Sequence, residues 1–250
     1  MDLGLATTAA LTAVAAVAGC VDAIAGGGGL LTLPALLTAG VPAPLALGTN
    51  KGQSVFGSGA ATLRFARAGK LTWRRSLPSF AAGFVGSLGG AAAVSQLDTA
   101  ALKPLIIVLL CVAAVLVLVP RPRSARPSTR PLLTATAIAL TVGAYDGFFG
   151  PGTGTLLIVG YLWLLGEAAD AASANAKVVN FASNLAALAI FASQGVVRWD
   201  VALPMAAAQF LGGAFGARLA VRRGDRFVRW VVLAVVICLV VKIAVDLARG

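Results

Sequence analysis

The sequence predicts an all-α polytopic membrane protein: two inverted-topology repeats of about five helical segments each, with helices interrupted at glycine-rich breaks. Three observations carry this. Of 250 residues, 59% belong to the apolar set and 12% are charged, with a mean hydropathy of +0.91. A soluble globule carries about 25% charged residues and needs them to cover its surface. The two halves of the chain repeat each other in order, and of each pair of equivalent loops one is strongly basic and the other near-neutral, with the bias reversed from one pair to the next.

The repeat is visible residue by residue. Asp22-Ala23-Ile24-Ala25-Gly26-Gly27-Gly28-Gly29 in the first half answers Asp146-Gly147-Phe148-Phe149-Gly150-Pro151-Gly152-Thr153-Gly154 in the second. After a slip of two residues, an offset of 126 carries Lys51 onto Lys177, Ser54 onto Asn180 and Ser58 onto Asn184. The same offset aligns Gly69 with Gly195, Trp73 with Trp199, Pro78 with Pro204, Gly86 with Gly212 and Gly90 with Gly216. The expected organisation is an N-terminal repeat (1–120), a basic linker (121–130) and a C-terminal repeat (131–250).

In the first half, apolar segments run over 3–22, 29–40, 44–67, 76–96 and 100–119. In the second they run over 131–146, 152–165, 170–193, 201–219 and 228–248. The first two of each half fall short of a comfortable span of about 20 residues, and a glycine cluster interrupts them. Trp73, Trp163, Trp199 and Trp230 stand near segment ends, as interfacial anchors do. Gly86 with Gly90, and Gly212 with Gly216, form small-xxx-small pairs that let helix backbones approach closely.

Loop charge gives orientation. The loop after the third segment holds Arg64, Arg67, Lys70, Arg74 and Arg75 in the first half, against Arg198 beside Asp200 in the second. After the fourth segment the bias reverses. Asp98 and Lys103 in the first half face Arg218, Arg222, Arg223, Arg226 and Arg229 in the second. Under the positive-inside rule these loops lie on opposite sides of the membrane, so the repeats are inverted. Five crossings per half satisfy that inversion, with the linker cytoplasmic and both termini external. A single bent crossing at each glycine cluster would make the repeats parallel, against the charge pattern.

Several activities are excluded by inventory. Without histidine there is no base for Ser-His or Cys-His chemistry and no ordinary zinc site. Cys20, Cys111 and Cys238 are scattered through apolar runs and form no metal-ligand spacing. Val17-Ala18-Gly19-Cys20 looks like a lipoprotein cleavage site, but the segment before it has no positive charge, so no cleavage is expected. No phosphate-binding loop occurs. Tyr145-Asp146 resembles half of an intramembrane aspartyl dyad, yet its Gly-x-Gly-Asp partner is missing; Arg223-Gly224-Asp225 lies in a basic run. The net charge of +11 sits in short loops and does not call for nucleic acid. The chain is expected not to be an enzyme and to need no cofactor or metal.

The candidate site is built from four ionisable residues deep in apolar sequence: Asp22 with Asp146, and Lys51 with Lys177. A charge at the bilayer centre costs about 2.5–3.5 kcal/mol on the insertion scale, so such residues face a cavity or a partner. Around them the third segments are polar. The first has Asn50, Gln53, Ser54 and Ser58; the second has Ser173, Asn175, Asn180, Ser183 and Asn184. Lys177, Asn180, Ser183 and Asn184 step by three and four residues along one helical face. Gly26, Gly27, Gly28 and Gly29, and Gly150, Gly152, Thr153 and Gly154 around Pro151, should break the helices. The amides so freed would favour an anion. The alternatives stay open: the Asp–Lys pairs could only lock the repeats together, and the glycines could only make tight turns.

Ala25-Gly26-Gly27-Gly28-Gly29-Leu30-Leu31-Thr32-Leu33-Pro34, followed by Ala46-Leu47-Gly48-Thr49-Asn50-Lys51-Gly52-Gln53-Ser54, resembles the sulfite exporter TauE/SafE family, also called the toluenesulfonate uptake permease family. Tyr145–Gly154 and Lys177-Val178-Val179-Asn180-Phe181-Ala182-Ser183-Asn184 are similar to its bacterial branch. The resemblance spans nearly the whole chain. It implies a multi-pass transporter of the bacterial cytoplasmic (inner) membrane, for sulfite, sulfonates or related sulfur-containing anions. Asn175 departs from the branch, where a histidine is common, and so removes a titrating group there.

The expectation is a secondary anion transporter working by alternating access, with proton coupling as one option. Lys51, Lys177 and the freed amides would hold an oxyanion, with Asn50, Gln53, Ser54, Asn180 and Asn184 adding hydrogen bonds. Asp22 or Asp146 would pair with the lysines or carry a coupling proton. The expected partners are the small anion and the lipid bilayer, with a homo-oligomer also open. A passive anion channel of the same fold, or a carrier of another small metabolite, is the alternative.

Overall fold

The computed structural model describes residues 3–98, 102, 105, 108 and 127–249, with side chains of the last helix described to Val228 and at 230, 231 and 234. Most of the expected segment 100–119, most of the basic linker and Cys111 lie outside the described residues, as does the side chain of Cys238. Among the described residues eight helical elements follow in order: α1 (Leu5–Ala25), α2 (Gly29–Thr38), α3 (Ala43–Arg67), α4 (Trp73–Val94), α5 (Pro131–Phe148), α6 (Thr153–Leu164), α7 (Ala169–Ser193) and α8 (Trp199–Arg249). No strand occurs among the described residues.

Helices α1, α4 and α7 are each long and apolar enough to cross a membrane. This corrects the expectation for the first segment. At 21 residues α1 reaches a full span, because the helix runs past Asp22 to Ala25 before Gly26 caps it in the left-handed region at φ 81°. The second segments are short as expected, at 10 residues in α2 and 12 in α6. The expected fourth and fifth segments of the second half are two helices within α8 that meet at a kink at Gly224 (φ 69°, ψ −166°), inside the basic stretch expected to separate them. Arg222, Arg223 and Arg226 read as a loop in sequence, but arginine is a good helix former, and only Gly224 leaves helical geometry.

Packing interleaves the two halves. Helix α1 lies along α8, and α4 along α5, each pair parallel and backbone to backbone. A Cβ on Gly212 would stand 2.1 Å from the Ala16 carbonyl oxygen, and one on Gly86 2.2 Å from that of Leu140. Helix α3 also packs on α8, through Gly57 and Gly213, and α4 on α7, where the Ser87 hydroxyl donates to the Ser183 carbonyl at 2.6 Å. The counterpart helices α3 and α7 run antiparallel against each other. Lys70, past the end of α3, pairs with Asp170 at the start of α7 at 2.9 Å. At the other end the Arg198 amide donates to Thr49 of α3 at 3.0 Å.

The two ends of the bundle differ in charge. One end gathers the 68–75 turn, residues 127–130, the 165–170 turn and the Gly224 kink. Ser128 donates to the Leu164 carbonyl at 2.8 Å, Arg75 pairs with Glu167 at 2.7 Å, and the Ala169 amide meets Asp225. Arg64, Arg67, Lys70, Arg74, Arg75, Arg130, Arg222, Arg223 and Arg226 lie there. At the opposite end, where Ser95 donates to Gln194 at 2.8 Å, are Asp98, Arg198 and Asp200.

Candidate functional site

The site lies where α3 meets α7, beside the two glycine breaks. Lys51 is eight residues beyond the start of α3 and Lys177 eight beyond the start of α7. At 1.5 Å per residue that is ~12 Å from a helix end, too deep for an ammonium to reach the interface easily. Both are buried with carboxylates, and each pair joins the two halves. Lys51 Nζ donates to Asp146 at 2.7 Å, the side chains being 2% and 2% exposed. Lys177 Nζ donates to Asp22 at 2.9 Å, at 0% and 10%.

The carboxylates are held by more than the lysines. Asp146 accepts from the Thr153 hydroxyl at 2.8 Å and from that of Ser183. Asp22 accepts from the Gly28 amide at 3.2 Å, so one amide released by the first break is already taken. Lys51 also donates to Asn184 at 3.2 Å, and Asn184 donates to the Asn180 carbonyl at 2.7 Å. Asn50 accepts from Thr32 at 2.6 Å and from Gln53 at 3.1 Å.

The two breaks touch each other, and this contact requires glycine. A Cβ on Gly26 (φ 81°) would lie 2.0 Å from the carbonyl carbon of Gly154. One on Gly150 (φ 103°) would meet Lys51 Nζ at 2.7 Å, and one on Gly154 would meet Lys177 Nζ at 3.0 Å. The lysines therefore rest against backbone that no side chain shields. Thr155 donates to the Ala25 carbonyl at 2.8 Å and Ser173 to that of Ala23 at 3.1 Å, tying the ends of α1 to α6 and α7.

A small polar cavity opens between these groups. Asp22, Gly26, Gly29, Asn50, Lys51, Ser54, Asp146, Gly150, Gly154, Asn180 and Asn184 line it. Its volume is about 10 Å³, room for one water at most. Of the sequence-level candidates, Lys177, Gly27, Gly28, Gln53, Gly152 and Thr153 do not line it; Lys177 is fully buried behind Asp22. Gln53 turns to Asn50 and leaves its own Oε1 buried without a partner, and Thr153 serves Asp146. Thr32 belongs to the network but was no candidate. A lone threonine in an apolar run carries no signal until the fold sets it opposite Asn50. Ser183 was visible on the polar stripe, but its service to Asp146 was not. No cluster of three or more His, Cys, Asp or Glu suited to a metal occurs among the described residues.

Asn175 has a different place. Its side chain accepts from the Thr72 amide at 3.0 Å and from Ser76 at 2.9 Å, and donates to Glu167 at 3.0 Å. It fastens α7 to the start of α4 at the basic end and is absent from the cavity lining.

The family model for the sulfite exporter TauE/SafE matches residues 11–243. Over 248 residues the chain is 36% identical to a "Probable membrane transporter protein ORF9" of Sinorhizobium sp, covering 98% of this chain and 95% of that one. Identity to a "Probable membrane transporter protein" of Haemophilus influenzae is 37%, covering 98% of each. The "Probable membrane transporter protein YfcA" of Escherichia coli K12 is 36% identical, over 93% of this chain and 88% of that one. No solved structure matches significantly. With its apolar helices and a family match over nearly its whole length, the chain is a multi-pass membrane protein that belongs to the sulfite exporter TauE/SafE family of transporters.

Proposed function

We propose that this protein is a secondary transporter of small sulfur-containing oxyanions, such as sulfite or a sulfonate, working by alternating access in the bacterial cytoplasmic membrane. The observation that carries the reading is the pair of buried Lys–Asp bridges, each joining opposite halves beside a glycine break. An ammonium held by a carboxylate already has the geometry to hold an oxyanion. Separating the pair without a replacement strands buried charge at a cost of several kcal/mol, whereas exchanging one acceptor for another restores the balance. The substrate thus lowers the barrier to the opening that admits it. Ser54 and Asn180, equivalent positions on α3 and α7 that line the cavity, would donate to the guest, with Asn50, Asn184 and the amides around Gly26 and Gly150.

The two halves are read as inverted repeats of about five segments. The antiparallel run of the counterpart helices α3 and α7 supports this, as does the basic end, which the positive-inside rule places in the cytoplasm. Proton coupling, with Asp22 or Asp146 taking the proton when its lysine turns to the anion, is part of the proposal. The test is uptake of labelled sulfite and of a sulfonate into proteoliposomes, with and without a pH gradient. Lys51→Ala and Lys177→Ala should each abolish flux, and full flux in both would remove the site. Wild-type flux indifferent to the gradient would remove proton coupling and favour a channel.

A further inference from the structure

We infer that the two bodies moving against each other are not the sequence halves but two interleaved bundles. One is α1, α2 and α3 with the 199–223 part of α8; the other is α5, α6 and α7 with α4. The inference rests on the alternating-access reading above and states which surfaces slide in it.

Seams within a bundle and between bundles are built differently. Inside the first, a Cβ on Gly216 would come 2.3 Å from the Cys20 carbonyl oxygen, and one on Gly213 2.5 Å from that of Gly57. Inside the second, a Cβ on Gly90 would come 2.0 Å from the carbonyl oxygen of Ala144. Backbones packed this closely over successive helical turns move as one piece, because any shift drives main-chain atoms into each other or opens a void. Between the bundles, among the described residues, the close backbone approach is confined to the breaks, where Gly26 meets Gly154. The rest of the seam is side-chain packing and exchangeable polar contacts: Lys51–Asp146, Lys177–Asp22 and Lys51–Asn184.

The connections agree with this division. Among the described residues the chain passes from one bundle to the other at Gly69 and Gly195. It reaches the second bundle again just beyond Gly224, where the Ala169 amide donates to Asp225. There Val228 packs in an apolar cluster drawn from both bundles, Ala23 and Phe65 as well as Ala169 and Ala174. These glycines have φ of 66°, 69° and 69°, and a Cβ on any of them would meet nothing within 4 Å. All three crossings thus have a left-handed residue in open space, the setting in which backbone torsion changes without collision. If the sequence halves moved instead, α1 would have to leave α8 and α4 would have to leave α5, tearing both glycine seams.

Thiol bridging separates the two motions in a background where Cys20, Cys111 and Cys238 are alanine. Ser76→Cys with Asn175→Cys joins α4 to α7, different halves but one bundle; the native side chains are 2.9 Å apart. Gly59→Cys with Phe181→Cys joins α3 to α7 across the bundles; a Cβ on Gly59 lies 3.1 Å from the Phe181 ring. After treatment with a short, reducible bis-thiol reagent, the first pair should keep most of its sulfite flux in proteoliposomes. The second should lose nearly all of it and recover on reduction. Loss of flux in the first pair as complete as in the second overturns the assignment. Should the cysteine-free parent carry no sulfite flux, the transport reading fails instead, and spin labels decide the bodies. Val85 to Leu140, within one bundle, should give a single narrow distance distribution, and Val85 to Leu211, across bundles, a broad or double one. Equal breadth in the two overturns the inference.

Discussion

Removing Lys51, Asp146 or both separates a pair that only holds the fold from a pair that also meets substrate. Lys51→Met takes away an ammonium 2.7 Å from Asp146 in surroundings that are 2% exposed. The carboxylate keeps the hydroxyls of Thr153 and Ser183 but has lost its cation. Breaking one partner of a buried pair costs about 3–5 kcal/mol, and the surviving hydroxyls hold the loss near the lower figure. At roughly 2–4 °C per kcal/mol for a chain of this size, that is a fall of about 6–12 °C in Tm. Asp146→Asn leaves Lys51 with only neutral side-chain amide oxygens, the new one and that of Asn184 at 3.2 Å, and should cost about the same. The double variant removes both charges, so a coupling of about 2–3 kcal/mol makes it about as stable as either single. Tryptophan fluorescence on heating in detergent reads the stabilities, and sulfite uptake into proteoliposomes reads the function. All three variants should fail to transport. Strictly additive losses in Tm would show that the pair is not coupled, and flux recovered in the double would show that Lys51 does not meet the anion.

Two further predictions test the breaks and the orientation. Gly26→Ala should abolish folding or flux, since its Cβ would sit 2.0 Å from Gly154 backbone, whereas Gly29→Ala, whose nearest neighbour is 3.3 Å away at Pro151, should stay folded; size-exclusion profiles and uptake compare them. A single cysteine at Arg74 should react with an impermeant maleimide only in inside-out vesicles and one at Asp200 only in right-side-out vesicles, and labelling of both from one side would refute the inverted arrangement.

What the sequence disclosed was chemistry that is rare in lipid. Lys51, Lys177, Asp22 and Asp146 stand out because charge in an apolar run is costly, and the doubled glycine clusters because they recur in register. What it concealed was set by tertiary packing. That Lys51 takes Asp146 and Lys177 takes Asp22 depends on which helices cross between halves, and no local pattern encodes that. The length of α1 was hidden by the same economy. Hydropathy drops at Asp22, so the apolar segment ends there on paper. The helix continues for three residues because Lys177 neutralises the carboxylate and Gly26 supplies the left-handed cap. The break near Gly224 was legible, since the arginine-rich stretch between the last two segments holds the kink, although the backbone on either side of that glycine stays helical.

The two ion pairs, although equivalent by position, are not equivalent in strength. Asp146 takes three donors, Lys51, Thr153 and Ser183, and its side chain is 2% exposed. Asp22 takes two, Lys177 and the Gly28 amide at 3.2 Å, and is 10% exposed. Replacing Asp146 by Asn leaves an ammonium without its counter-charge and gives two buried hydroxyls a neutral acceptor, or the Gly150 and Asn180 carbonyls, in place of a charged one, a difference of about 1 kcal/mol each. Replacing Asp22 by Asn strands one ammonium and weakens a single long amide contact. Asp146→Asn should therefore be the more destabilising by about 1–2 kcal/mol, and Lys177 should be the readier of the two ammoniums to exchange its partner for an incoming anion. Thermal unfolding of the two variants side by side reads the first half of this. Protection of the protein by sulfite reads the second, because a lysine freed by Asp22→Asn should strengthen that protection at fixed sulfite concentration. Equal losses of stability, together with sulfite protection unchanged by Asp22→Asn, would mean that the pairs act as a matched set and that the asymmetry of their donors has no consequence.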